Sequence, residues 1–248
     1  MGLFDFLKNG KQSGEEKRSG EAAKWAEAAR NKRAQNYDRQ EAIAALADLK
    51  TSEAATALLR RFNFHMDPSI TDQEEKELAF QGILAAGEDA IAPVRVYAAK
   101  AESLAWPMKI LRALVEEDAF VEEILTWLER WDTEYAKFVE PKIQLLVELE
   151  DHRHPGIRLA VEPFLEDVNE TARFHAVVTT FAQGDPEATL PLLRALADEE
   201  SFRVKNKIAD GFIAHDWAIP EGERETTRKV LPAGYTIDGE GKLRKRAS

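Results

Sequence analysis

The sequence predicts an all-α chain, an α-solenoid of stacked helical hairpins with a small C-terminal hairpin, and three observations carry that expectation. Across residues 21–230, apolar side chains recur at i, i+3, i+4 and i+7, the spacing of one helix face. Residues 38–62, DRQEAIAALADLKTSEAATALLRRF, lie without gaps over residues 172–196, ARFHAVVTTFAQGDPEATLPLLRAL, at an offset of 134. Helix-start signals punctuate the segments at Thr51-Ser52-Glu53, Thr71-Asp72-Gln73-Glu74 and Asp185-Pro186-Glu187. There a side-chain oxygen can cap free N–H groups, and a carboxylate meets the positive helix end.

The elements follow in order. Residues 1–20 read as a flexible arm. On a helix its Leu3, Phe4, Phe6 and Leu7 share one arc of about 160°, and the stretch NGKQSGEEKRSG after them has the Gly, Ser and mixed charge of a linker. Trp25, in an Ala-rich basic helix, is expected to cover the open end of the stack. The first repeat is followed by residues 76–94, with Ala79, Phe80, Ile83 and Leu84, a turn at Gly87, then Ala90-Ile91. Weaker copies begin near Met108, Lys142 and Arg203. Phe120, Val121, Ile124, Leu125, Trp127, Leu128 and Trp131 form a single core arc. In the copy at 172–196, Phe174, Val177, Val178, Thr180 and Phe181 make the buried arc, and His175 and Thr179 fall outside it.

Each unit is helix, turn, helix with a period of about 31 to 37 residues, and it cannot bury both apolar stripes alone, so residues 21–231 must stack. Residues 232–248 close the chain. In Tyr235-Thr236-Ile237-Asp238-Gly239-Glu240-Gly241-Lys242-Leu243 the Asp-Gly between apolar positions predicts a hairpin turn, and a basic tail follows.

The repeat has a signature: a basic residue, then A-h-x-x-h, a polar turn and E-A-x-x-x-L-L. Arg39, Ala42, Ile43 and Leu46 carry its first half, and Glu53, Ala54, Leu58 and Leu59 its second. On these residues the chain resembles the HEAT-like repeat family, in the short form of the lyase-type proteins, over most of residues 38–214. The resemblance implies a binding scaffold, since the family is chiefly one of scaffolds with a few enzymes. Its di-iron hydroxylases depend on His-Glu dipeptides, and this sequence contains none. Its DNA glycosylases need a basic channel, which the charge of this chain opposes. For its bilin lyases no residue here marks a tetrapyrrole pocket.

The charge is uneven. Residues 1–40 hold nine Lys/Arg and six Asp/Glu, residues 232–248 hold four and two, and residues 41–231 therefore carry −16 of a net −11. Such a body repels phosphate backbones and attracts basic partners. The absence of cysteine excludes disulfides, thiolate metal sites and cysteine nucleophiles. With no run of 18 apolar residues and no signal-peptide order at MGLFDFLKNG, the expected location is the cytoplasm.

Candidate sites are few. Asp151, His152 and His154 offer three potential ligands in four residues, although Arg153 and Pro155 favour an exposed turn. His175 either faces the groove of the first helices or is solvated. Trp106, before Pro107 at a helix start, either packs or lies on a contact rim. No phosphate loop, nucleophile elbow or distinctive carboxylate pair is present, so neither catalysis nor a cofactor or metal has residue-level support. The expectation is a non-catalytic protein-interaction scaffold or adaptor whose partner presents a basic segment, with Leu3, Phe4, Phe6 and Leu7 of the arm docking on the chain's own body, on another protein or on a membrane surface. The alternatives are an enzyme using the groove, lyase- or glycosylase-like, and a nucleic-acid binder working through the basic ends.

Overall fold

Alanine, leucine and long polar residues dominate the segments between turn signals, and these segments fold as helices in the computed structural model, which describes residues 20–246. Helix α1 covers residues 20–30. It is followed by α2 (Asn36–Leu49), α3 (Ser52–Leu59), α4 (Ser69–Ala85), α5 (Ile91–Ala98) and α6 (Ala105–Leu114). Then come α7 (Glu117–Leu128), α8 (Glu140–Glu148), α9 (Ile157–Val161), α10 (Glu170–Gln183), α11 (Thr189–Asp198), α12 (Phe202–Ala214) and α13 (Arg224–Val230). The described residues form two compact units that divide between Glu116 and Glu117.

The 134-residue repeat is physical. Ala42, Ile43, Ala54 and Leu58 are buried, as are their counterparts Ala176, Val177, Ala188 and Leu192. Lys50, which ends α2, has φ 52° and its counterpart Gly184, which ends α10, has φ 68°, so both helices stop on the same left-handed cap. One residue later, Thr51 Oγ1 accepts from Ala54 N–H at 3.2 Å and Asp185 Oδ1 from Glu187 N–H at 3.0 Å. The Thr71 signal behaves otherwise. Helix α4 begins earlier, at Ser69, and Asp72 is buried inside it as an ion-pair partner instead of a cap.

In the first unit α2 packs along α4 and α4 along α6, while α3 packs on α5. Gly82 allows the closest approach, because a Cβ there would lie 2.6 Å from Ala47 Cβ of α2. In the second unit α8, α10 and α12 form one row, and α11 packs against the short turn Glu162–Glu166 on one side and α13 on the other. Gly211 of α12 plays the same part against α10, since a Cβ there would lie 2.2 Å from the Phe181 ring. Around that ring gather Phe212, His215 and Trp217, with centroids 5.6, 5.4 and 5.4 Å away. The expected arc of α7 is core at Phe120, Val121, Ile124, Trp127 and Leu128. Trp25 is half-buried, with Lys24 Nζ 4.5 Å from its ring centre.

Strands β1 (Tyr235–Ile237) and β2 (Leu243–Lys245) pair antiparallel in the register Tyr235 to Lys245. The loop is not the two-residue Asp-Gly turn. Asp238 accepts from Gly241 N–H through its carbonyl, Lys242 N–H bonds its Oδ1, and the left-handed residue is Gly241 at φ 86°. That pattern is a three-residue loop with a bulge, which the second glycine makes possible. The hairpin packs on α12 and α13, and Tyr235 Oη donates to Asp210 at 2.9 Å.

Cations open three of the first helices, Arg39 and Lys142 buried and Arg173 partly so. In α2, Arg39 forks onto Glu75 of α4 at 2.7 Å through both Nε and Nη2, while its Nη1 donates to Ala34 O. Arg61 joins Glu75 at 2.7 Å and Asp72 at 2.8 Å, and Lys76 joins Asp72 at 2.7 Å. In α8, Lys142 reaches Asp167 at 2.5 Å and Asp132 O at 3.1 Å. In α10, Arg173 forks onto Glu199 at 2.7 and 2.8 Å and donates to Asp167 O at 2.8 Å.

Two outcomes follow from these pairs. Lys142→Met leaves the Asp167 carboxylate buried and uncompensated, and should cost about 3 to 5 kcal/mol in urea unfolding, whereas adding Asp167→Leu should recover most of that loss. Burial pushes the Asp72 carboxyl up, but hydrogen bonds and charge from Lys76 and Arg61 prevail and hold it at about 2, against the ordinary 3.8. Its contribution is therefore complete above the ordinary value and lost as pH falls through about 2. The stability advantage of the natural chain over Asp72→Asn should shrink by roughly 2 kcal/mol in acid titrations between about pH 5 and pH 2.

Candidate functional site

Of the sequence candidates, Leu3, Phe4, Phe6 and Leu7 lie outside the described residues. Trp106 occupies the first turn of α6, with Pro107 buried beside it. Its ring is half-buried and stacks on Phe62 at 4.5 Å and 18°, with Phe80 tilted 6.0 Å away. Lys109, one helical turn on, holds its ammonium 4.6 Å from the Trp106 ring centre and 4.2 Å from that of Phe80, and pairs with Glu77 at 3.3 Å. The residue thus packs on one face and shows an aromatic edge beside a cation on the other.

His175 is partly exposed on α10, with Nδ1 2.6 Å from Glu150 Oε1 and its ring edge-on to Phe174. It is tied to the turn after α8 and is not loose in solvent. Thr179 corrects the expected arc. It is fully buried, and its hydroxyl donates to Leu146 O of α8 at 2.9 Å and to His175 O at 2.8 Å. A helix between two neighbours buries two faces, which a single apolar stripe does not reveal.

The Asp151 to His154 turn is also corrected. His152 is only 6% exposed. Its ring lies against Phe120 at 5.6 Å, Nε2 is 3.2 Å from Glu148 and Nδ1 is 2.5 Å from Glu117. His154 turns the other way, and its Nδ1 accepts from Gly156 N–H at 3.1 Å. Among the described residues no group of three or more His, Asp or Glu side chains is placed to hold a metal ion.

One surface escaped the sequence reading. Between the Glu162–Glu166 turn and α11 lies an open cleft of 320 Å³, floored by Leu165 and Ala195. Its inner carboxylates are neutralised, Asp167 by Lys142 and Glu199 by Arg173. Burial would raise the Glu199 carboxyl, but the Arg173 guanidinium and the N–H groups of Ser201 and Glu200 hold it below its ordinary value. Its outer carboxylates, Glu166, Asp198 and Glu200, have no hydrogen-bond or ion-pair partner among the described residues. A second cleft of 230 Å³ continues past Leu165 and Glu166 to Leu159, Pro163 and Pro191.

The loops that open the first helices of this unit carry exposed apolar side chains: Tyr135 at 83%, Phe138 at 48%, Val168 at 58% and Phe202 at 76%. The loops are neighbours. Val168 N–H donates to Thr133 O at 3.0 Å, and Ser201 and Arg203 both donate to Glu170. The signal available in sequence was the break of helical period at Tyr135, Val168 and Phe202, large apolar residues in turn segments or, for Phe202, at a helix start.

No protein-family model, no curated protein and no solved structure matches this chain. Among the described residues no helix is long and apolar enough to cross a membrane. Trp106→Ala, which removes the ring stacked on Phe62, should lower stability by about 2 kcal/mol in chemical denaturation, less than a fully buried tryptophan costs.

Proposed function

We propose that the chain is a non-catalytic protein-interaction scaffold or adaptor of HEAT-like character, each unit a solenoid-like stack of helical hairpins, and that its partner presents a basic segment. The stacked first helices and the second helices packed behind them support the architectural part. One observation carries the functional part. Residues 132–142, 166–173 and 198–203, which meet at one edge of the second unit, hold nine carboxylates against four cations. The cations Lys142 and Arg173 are spent on the inner carboxylates, so the outward field is acidic.

The reading through basic ends gains little at the C-terminus. Lys242 and Arg244 pair with Asp216, Arg244 also with Asp238, and Lys245 with Asp210. Capture of partners from the native host's lysate at low and high salt tests the proposal. Binding should weaken as salt rises, because exposed charges farther apart than about 8 Å are largely screened at physiological ionic strength. A partner held equally at both salts, or tight binding of duplex DNA at physiological salt, overturns it.

A further inference from the structure

We infer that the loop edge of the second unit is a docking strip for an extended segment of a partner protein in which apolar and Lys/Arg side chains are interleaved. The inference rests on the scaffold reading and gives it a site. Single exposed apolar residues are ordinary on a protein surface, whereas a contiguous group of them marks contact. Here Tyr135 and Phe138 stand on the loop before α8, Val168 on the loop before α10 and Phe202 at the start of α12, joined by the backbone bond from Val168 to Thr133 and by the Glu170 bridge to Ser201 and Arg203. The loops are held from beneath. Lys142 binds Asp132 O and the Asp167 side chain, and Arg173 binds Asp167 O and the Glu199 side chain. A strip fixed in this way loses little conformational freedom when covered.

Length and charge select the occupant. Packed helices lie about 8 to 10 Å apart, so three loops span roughly 16 to 20 Å, which an extended chain covers in about five to six residues at 3.3 Å each. Val168 lies two residues from Glu166, and Phe202 two from Glu200, so these two apolar contacts each have an unpaired carboxylate close by in the chain. Interleaved apolar and cationic side chains satisfy both. The excess of carboxylates at this edge repels anionic headgroups and nucleic acid, and it opposes the same edge of a second copy.

The probe is a fluorescent, end-capped peptide repeating Leu-Leu-Arg-Arg over about eight residues, so that each face of the extended chain carries both residue types, with a matching leucine–glutamate peptide as control. Anisotropy with the full chain should show binding of the arginine peptide and none of the control. Val168→Ala with Phe202→Ala should weaken it by about tenfold or more, and so should Glu166→Gln, Asp198→Asn and Glu200→Gln together. All five positions are exposed, so the unfolding midpoint should stay within error of the natural chain. Undiminished peptide binding by the Val168/Phe202 variant, equal binding of the glutamate peptide, or binding of anionic vesicles through this edge overturns the inference. A salt-sensitive partner captured from lysate as well by that variant as by the natural chain overturns the strip alone and leaves the scaffold reading in place.

Discussion

The paired cation that opens a first helix, wholly or largely withdrawn from solvent, is the interaction on which the rest depends. Arg39, Lys142 and Arg173 each bond a backbone carbonyl of the segment that precedes their own helix and a carboxylate that belongs to the next hairpin or the loop leading to it. Apolar ridges alone permit neighbouring helices to slide or rotate, because dispersion has no direction. A fork or ammonium that must meet a carboxylate and a carbonyl at 2.5 to 3.1 Å admits one register. Desolvating both charges is costly, so the value of such a pair lies in geometry more than in net stability.

In the second unit these contacts form a relay. Lys142 holds the Asp167 side chain, the Asp167 carbonyl receives Arg173, Arg173 holds Glu199, and Glu199 accepts the N–H groups of Glu200 and Ser201. The loops before α8, α10 and α12 are thereby fixed along one edge, and the paired charges are drawn inside. What remains outside is apolar at Tyr135, Phe138, Val168 and Phe202 and acidic at Glu166, Asp198 and Glu200. The interior pairing thus shapes the exterior chemistry.

The first unit meets the same need with more members. Arg39 and Arg61 share Glu75, and Arg61 and Lys76 share Asp72. Arg61 lies in the short turn Arg60–Asn63 that follows α3, so this network ties the second helix of one hairpin to the first helix of the next as well. His65 marks its exposed rim, where Lys76 Nζ lies 3.0 Å from His65 Nδ1.

The sequence by itself determined the helical class, the repeat at an offset of 134, the positions of its core residues, the helix starts at Thr51 and Asp185 and the existence of the terminal hairpin. Each is a local or periodic property: an apolar spacing, a cap, a residue that tolerates a turn. Tertiary structure decided the remainder. Thr179 is buried because α10 has α8 on one flank and α12 on the other, and Asp72 is an ion-pair partner because Arg61 and Lys76 surround it. His152 is enclosed because Phe120 and two carboxylates close over it, and Gly241 instead of Gly239 takes the left-handed position of the loop. The candidate strip belongs to the same class. Its apolar residues are 30 or more positions apart between loops, and only the stacking of helices makes them neighbours. A charge or a large apolar side chain in one sequence names its own chemistry but not its partner, and partners here are chosen by packing in three dimensions.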